Sequence, residues 1–364
     1  MREINDNRPR RPIFSRGERG TEPMARKGER ADDARTGVNA AISRPPDGVS
    51  TWERTEIRQI EDLGDAIKDA GFEAIQMPPH PVKGSIVFRE QDDIRFSCGR
   101  IFGHVCISGA LPENRISLAV GLRIAPGSRL WHQEIHTGVL VVLRPGDRQQ
   151  ALFLPGTLYA AVTMPQDRLM EVAAEFGLSI DERAIRETGF RNPVCPTPNA
   201  DALCRAMDDI HDGALQARGV EERLLGHLAH QVSRNTAPLV RPDHQRGHTR
   251  IVSRACCFID TQFDKPLTVD DVADAAMTSR RTLYRAFREV MGQPPHVYLR
   301  TMRLHRMRQT LLRASDGRMS VTRAATISGL DQFGRVSGSY RDLFGELPSQ
   351  TLAGALRLQS AEAD

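Results

Sequence analysis

The strongest constraint on this chain is a duplication near its C-terminus. Residues 267–290 read LTVDDVADAAMTSRRTLYRAFREV, and residues 320–344 read SVTRAATISGLDQFGRVSGSYRDLF. In the first unit Thr268 can cap a helix, with Asp271 three residues on, close to a capping-box pattern. Val269, Val272, Ala273 and Ala276 give that helix an apolar face; a break follows at Met277 and Thr278, and Ser279 can cap a second helix. The second helix buries Leu283, Ala286 and Phe287 and shows Arg280, Arg281, Tyr284, Arg285 and Arg288 on its other face. In the second unit Ser320 is the cap and Val321, Ala324, Ala325 and Ile327 are apolar. Gly329 supplies the turn, where a positive φ is cheap only for glycine. The helix after it carries Phe333, Val336, Tyr340 and Phe344 with Arg335 and Arg341. Each unit closes on similar punctuation, Gly292-Gln293-Pro294-Pro295 and Gly345-Glu346-Leu347-Pro348. A long helix from His296 to about Ala314 joins them, so the chain ends in two helix-turn-helix units held at a fixed separation.

The rest of the chain is of another texture. Its 364 residues suit two domains. Short β-rich runs at residues 85–89, 94–97, 103–108, 117–124 and 138–143 alternate with turn signals such as Ala125-Pro126-Gly127 and Arg144-Pro145-Gly146-Asp147. This pattern predicts a sandwich or barrel. Helices are predicted over residues 51–70, 167–176, 181–189, 199–217 and 220–235, from apolar spacing such as Leu203, Met207, Ile210 and Ala214, or Leu224, Leu225, Leu228, Ala229 and Val232. These two stripes serve either a dimer face or the core of the domain. The expected fold class is multidomain: an N-terminal β-rich, cupin-like barrel or sandwich with flanking helices, then an all-α C-terminal domain. The expected boundaries are a disordered basic tail over 1–45, a β-rich sensor over 46–164, and a helical linker or dimerisation region over 165–235. A linker follows over 236–249, then the tandem helix-turn-helix over 250–352 and a tail over 353–364.

Charge follows the same division. The total is +4, which by itself says nothing about partners. Split by region, the tail carries +4, residues 46–248 carry −5 and residues 249–364 carry +5, with arginine supplying nearly all the positive charge. No stretch approaches the roughly 18–20 apolar residues of a membrane span, and the N-terminus has no apolar signal region. The six cysteines, Cys98, Cys106, Cys195, Cys204, Cys256 and Cys257, form no CxxC pair, which argues against a zinc pattern or a disulfide framework and for a reducing, cytoplasmic setting.

The C-terminal 100 residues resemble the tandem helix-turn-helix domain of AraC/XylS-type transcription regulators. The likeness is ungapped through SRRTLYRAFREVMGQPPHVYLRTMRLHRMRQTLL and through SVTRAATISGLDQFGRVSGSYRDLFGELPSQTL. The β-rich region more weakly resembles the cupin-like sensor that many members carry. The resemblance implies that the second helix of each unit enters a DNA major groove. Carried over by position, it puts Arg281, Tyr284 and Arg285 at base edges in the first unit, and Phe333, Gly334, Arg335 and Gly338 in the second. Arginine suits that role because its fork bonds guanine O6 and N7 together. Arg280, Thr282, Arg288 and Arg341 are implied as phosphate contacts. Double-stranded DNA, RNA polymerase, a small-molecule effector and a second copy of the chain are the implied partners, with activation the implied outcome. Two departures from the family pattern matter: Met277 stands where a turn glycine is usual, and Gly338 where many members have a base-reading arginine. The first unit is therefore expected to discriminate sequence more strongly.

Outside that domain Trp131-His132-Gln133-Glu134-Ile135-His136 stands out. Its HxExH spacing is not that of a zinc protease. If the segment were one strand, His132, Glu134 and His136 would share a face. That leaves a second reading, a cupin-like metal enzyme with an accessory DNA-binding domain. Trp131, His132 and Glu134 are alternatively expected to line an effector pocket, with a plain core aromatic the other reading of Trp131, and with no cofactor, no metal and no catalytic residues.

Overall fold

The computed structural model describes residues 51–68, 72–78, 81–192, 200–234, 240–241, 247–262, 267–314, 318–330 and 333–362. The expected basic tail lies outside the described residues. The chain opens with β1 (Glu53–Ile57), α1 (Ile60–Lys68) and β2 (Phe72–Met77). It continues through β3 (Gly84–Gln91), β4 (Ile94–Ile101), β5 (His104–Ala110), β6 (Arg115–Arg123), β7 (Arg129–Leu130), β8 (Gln133–Glu134), β9 (Leu140–Leu143), β10 (Arg148–Phe153) and β11 (Thr157–Pro165). The helix predicted over 51–70 is thus a strand followed by a helix. Residues 53–57 pair antiparallel with β3, and only from Ile60 does the apolar spacing belong to a helix, which buries Ile60, Leu63 and Ile67.

The strands form two antiparallel sheets. One runs β1-β3-β4-β11-β6-β9 and ends in β12 (Gly189–Arg191); the other runs β2-β5-β10-β7-β8. Alternation along β11 sorts its residues between two environments. Leu158, Ala160, Val162 and Met164 are buried on the outer face of the larger sheet. There they join one core with α2 (Gln166–Glu175), α3 (Ala200–His211) and α4 (Val220–Arg234). Leu203, Met207 and Ile210 of α3, and Leu224, Leu228 and Val232 of α4, are spent in this core. Arg89 bonds Glu221 at 2.6 Å, and Arg123 bonds Asp208 at 3.0 Å, tying both helices to the sheet. The helix predicted over 181–189 is instead a short turn of 3-10 helix, Glu182–Ala184, capped by Asp181 and leading into β12. Phe190 of that strand bridges to Val240, inside the predicted linker, and the next helix begins at Gly247 rather than after residue 249.

The C-terminal helices are α5 (Gly247–Thr261), α6 (Val269–Ala275), α7 (Arg280–Met291), α8 (Pro295–Leu312), α9 (Val321–Ile327), α10 (Phe333–Phe344) and α11 (Pro348–Glu362). Thr268 and Asp271 form the reciprocal capping box, and Ser279 and Ser320 cap α7 and α9. The turns of both units use the same hydrogen bonds: Thr278 N–H to the Ala273 carbonyl (3.0 Å) and Leu330 N–H to the Ala325 carbonyl (2.9 Å). Gly329 sits there at φ +72° and Met277 at φ +52°. A side chain in that left-handed region costs about 1–2 kcal/mol, and Met277 has no compensating burial, being 72% exposed.

The two units pack against different parts of the β structure. The core of the first, including Val252, Leu283, Phe287 and Tyr298, closes over Met77 and Cys106 on the smaller sheet. The core of the second, with Met307, Val336 and Tyr340, is continuous with Ile57, Leu63 and Ile67. Arg308 of α8 crosses this seam. Its side chain is 3% exposed and makes a two-pronged bond to Glu61 of α1 (2.7 and 2.9 Å). It also bonds Glu346 at 2.6 Å and lies 4.7 Å from the Phe344 ring centre. One turn earlier His305 donates from Nε2 to the Gln76 carbonyl (2.7 Å), and Gln76 donates to the Leu343 carbonyl. Burial holds the His305 pKa down to about 4, so the ring is neutral at pH 7. Among the described residues no helix is long and apolar enough to cross a membrane.

Candidate nucleic-acid interface and ligand cavity

On α7 the apolar stripe Leu283, Ala286, Phe287 and Val290 is buried, which turns Arg281, Arg285 and Arg288 outward. Tyr284 is half-buried between them, tilted against His296 of α8 with ring centres 5.8 Å apart. Arg280 reaches Asp270 at 3.3 Å and lies 6.0 Å from the Tyr284 ring centre, so part of its charge is already engaged. Thr282 stands in the first turn, its backbone N–H given to Ser279 Oγ at 3.2 Å. A helix N-terminus of this kind suits a phosphate. The residues expected at bases and those expected at phosphates therefore share one exposed, basic surface.

On α10 the buried residues are Val336, Tyr340, Leu343 and Phe344, leaving Gly334, Arg335, Gly338 and Arg341 exposed. Phe333 begins the helix, and its side chain lies outside the described residues. Nothing stands within 4 Å of a Cβ built at Gly334 or Gly338. Packing does not demand these glycines, and Gly338, in the helix interior, costs about 1 kcal/mol against alanine. The exposed face of α10 is thus poorer in side chains than that of α7.

Sequence reasoning missed a contact behind α7. His248, near the start of α5, lies 3.2 Å from Nε and 3.1 Å from Nη2 of Arg285 through its own Nε2. Its Nδ1 lies 2.6 Å from Glu289 Oε2. No local signal marks this histidine, because it falls in a stretch that reads as linker.

The space between the two sheets is a cavity. Along the inner face of the larger sheet the positions that bulky aliphatics would fill hold Ser97, Ala119 and Ala161. Phe72, Ile107, Leu130 and Phe153 form the opposite wall. At one end Arg95, Thr163 and Ser117 form a cross-strand row, Thr163 Oγ1 donating to Ser117 Oγ at 3.0 Å. Arg95 is engaged by Glu90 at 2.7 Å. Tyr159 stacks on Phe153 with centroids 4.9 Å apart, and burial raises its pKa, so the phenol stays protonated.

The structure does not bring Trp131, His132 and Glu134 together around this cavity. Trp131 and His132 turn the chain between β7 and β8 at φ +45° and +63°, so the segment is not one strand and its alternate residues share no face. Trp131 is buried, stacked on Phe190, and gives its ring N–H to the Arg148 carbonyl at 3.0 Å. His132 is buried, and burial, with the charge of Arg129, lowers its pKa to about 4. Glu134 is exposed. Among the described residues no three His, Cys, Asp or Glu side chains are grouped to hold a metal ion.

A family model described as a helix-turn-helix domain matches residues 272–354. Over 238 residues the chain is 32% identical to the XylDLEGF operon transcriptional activator 1 of Pseudomonas putida, spanning 63% of this chain and 73% of that one. It is 26% identical over 150 residues to the HTH-type transcriptional regulator ArgR of Pseudomonas aeruginosa, covering 41% of this chain and 44% of that one. Among solved structures, a probable AraC family transcriptional regulator from Rhodopseudomonas palustris is 30% identical, covering 29% of this chain and 97% of that one at a TM-score of 0.27.

Proposed function

This chain belongs to the AraC/XylS-type family of transcription regulators, and from that premise we propose that it is a small-molecule-responsive activator that reads two adjacent major-groove segments of its operator. The observation that carries the reading is the pair of outward-facing helices α7 and α10, the second helix of each unit, joined by the 18-residue α8. In a helix-turn-helix unit the second helix occupies the major groove, and two units on one face of the duplex sit about 10 bp apart. On α7, Arg281, Tyr284 and Arg285 read bases, with Arg280, Thr282 and Arg288 on phosphates. On α10, Phe333, Gly334, Arg335 and Gly338 face the bases and Arg341 a phosphate. The chain acts as a homodimer in the cytoplasm and engages RNA polymerase at the promoter. Competition binding on its own promoter region tests the reading. Affinity there should exceed that for random duplex by about 1,000-fold or more at physiological salt. Binding that shows no discrimination and vanishes at moderate salt contradicts it, because phosphate contacts alone behave in that way.

The cavity between the sheets is the effector site in this reading, in place of Trp131, His132 and Glu134. Its small-residue floor and apolar walls suit a compact, largely apolar molecule, with Ser97, Ser117, Thr163 and Gln149 offering hydrogen bonds. A true effector raises the melting temperature by mass action, worth about 2.7 kcal/mol at one hundred times its Kd. Screening a panel of small acids, amines and sugars should find such a shift, and Ala119→Leu, which fills the floor, should abolish it while leaving DNA binding intact. An effector whose shift survives in Ala119→Leu binds elsewhere.

A further inference from the structure

We propose that His248, backed by Glu289, is a positioning residue that holds Arg285 in the orientation for reading a guanine; this rests on α7 being a base-reading helix. Arg285 has only donors, and both its Nε and Nη2 point at one acceptor, His248 Nε2, at 3.2 and 3.1 Å. That nitrogen therefore carries no proton, so Nδ1 carries it and donates to Glu289 Oε2 at 2.6 Å. The carboxylate fixes the tautomer, and the tautomer presents a lone pair to the arginine.

The geometry also says what remains free. The two N–H groups given to His248 are those on the side of the guanidinium that includes Nε. The end of the fork, one N–H from each Nη, is left over. Two parallel donors there match O6 and N7 of a guanine. Arg285 is otherwise a long, exposed side chain with several rotamers, and ordering it on binding costs entropy. His248 is suited to remove that cost because it belongs to another helix and its own side chain is only 18% exposed. Discrimination at one base is then set partly by a residue that touches no base.

The test is a binding-site selection with the full-length chain, comparing base preference position by position. Arg285→Ala identifies the position it reads, with an expected loss there of roughly 5- to 150-fold. His248→Ala should lower preference at that same position by about threefold or more and leave the others unchanged, a loss of roughly two-thirds of a kcal/mol. His248→Gln, whose amide oxygen still accepts, should restore most of it, and Glu289→Ala should give a smaller loss at the same position. The proposal is overturned if His248→Ala leaves that position unchanged, or weakens every position alike while His248→Gln fails to rescue. If Arg285→Ala alters no position, the base-reading role of α7 fails and the proposal with it. If Arg285→Ala alters one and the His248 variants do not, only the positioning role fails.

Discussion

Truncating Arg308 to alanine is expected to destabilise the protein by about 3–5 kcal/mol, the range for removing one partner of a buried ion pair. Its guanidinium is 3% exposed, and burial alone would pull its pKa down. The bonds to Glu61 and Glu346 outweigh that and raise it. Alanine removes the cation and leaves two carboxylates, 28% and 33% exposed, facing the space it occupied. Tyr340 and Thr351, bonded to each other at 2.9 Å, lose a shared neighbour as well. Partial access of water to the two acids places the loss toward the lower end of the range. Arg308→Lys keeps the charge but not the planar fork, so it should fall between alanine and wild type. Denaturant unfolding measures all three. A loss of about 1 kcal/mol or less for alanine, the size of an exposed pair, would contradict the view that this residue joins α1 to the second unit.

The second large effect concerns DNA. Arg285→Ala should cost about 1–3 kcal/mol of discrimination at one base position, and Arg335→Ala clearly less. Both side chains are exposed, so neither change should disturb the core. The asymmetry comes from their surroundings. Arg285 stands among Arg281, Tyr284 and Arg288 and is held by His248, whereas the exposed surface of α10 around Arg335 includes Gly334 and Gly338, which carry no side chain to reach a base. Equal losses from the two substitutions would sink the ranking of the units.

What was legible in the sequence was local. The capping box at Thr268 and Asp271, the caps at Ser279 and Ser320, and the turn at Gly329 are each decided by residues within a few positions, and the structure holds them as read. What escaped depends on distant partners. β11 carries little strand signal in the sequence although its burial alternates along most of its length, because its inward residues, Tyr159, Ala161 and Thr163, line a cavity and are only weakly apolar. Its apolar residues face outward, where α2, α3 and α4 cover them. Residues 53–57 lack any helix-breaking signal before Ile60, and only pairing with β3 makes them a strand. Trp131 and His132 adopt left-handed conformations without the glycine or asparagine that usually marks such a turn, so the sequence leaves strand and loop both open there. The seam at Arg308 and the brace at His248 join residues 247 and 37 positions apart, beyond the reach of any periodicity.

The most direct measurement is the sequence selected from random duplexes by the full-length protein. Each enriched half-site should carry two specified segments about 10 bp apart, the more strongly specified being the one whose preference Arg285→Ala removes. An enriched site with a single segment, or no enrichment above random duplex, would contradict a chain that reads DNA through two linked helix-turn-helix units.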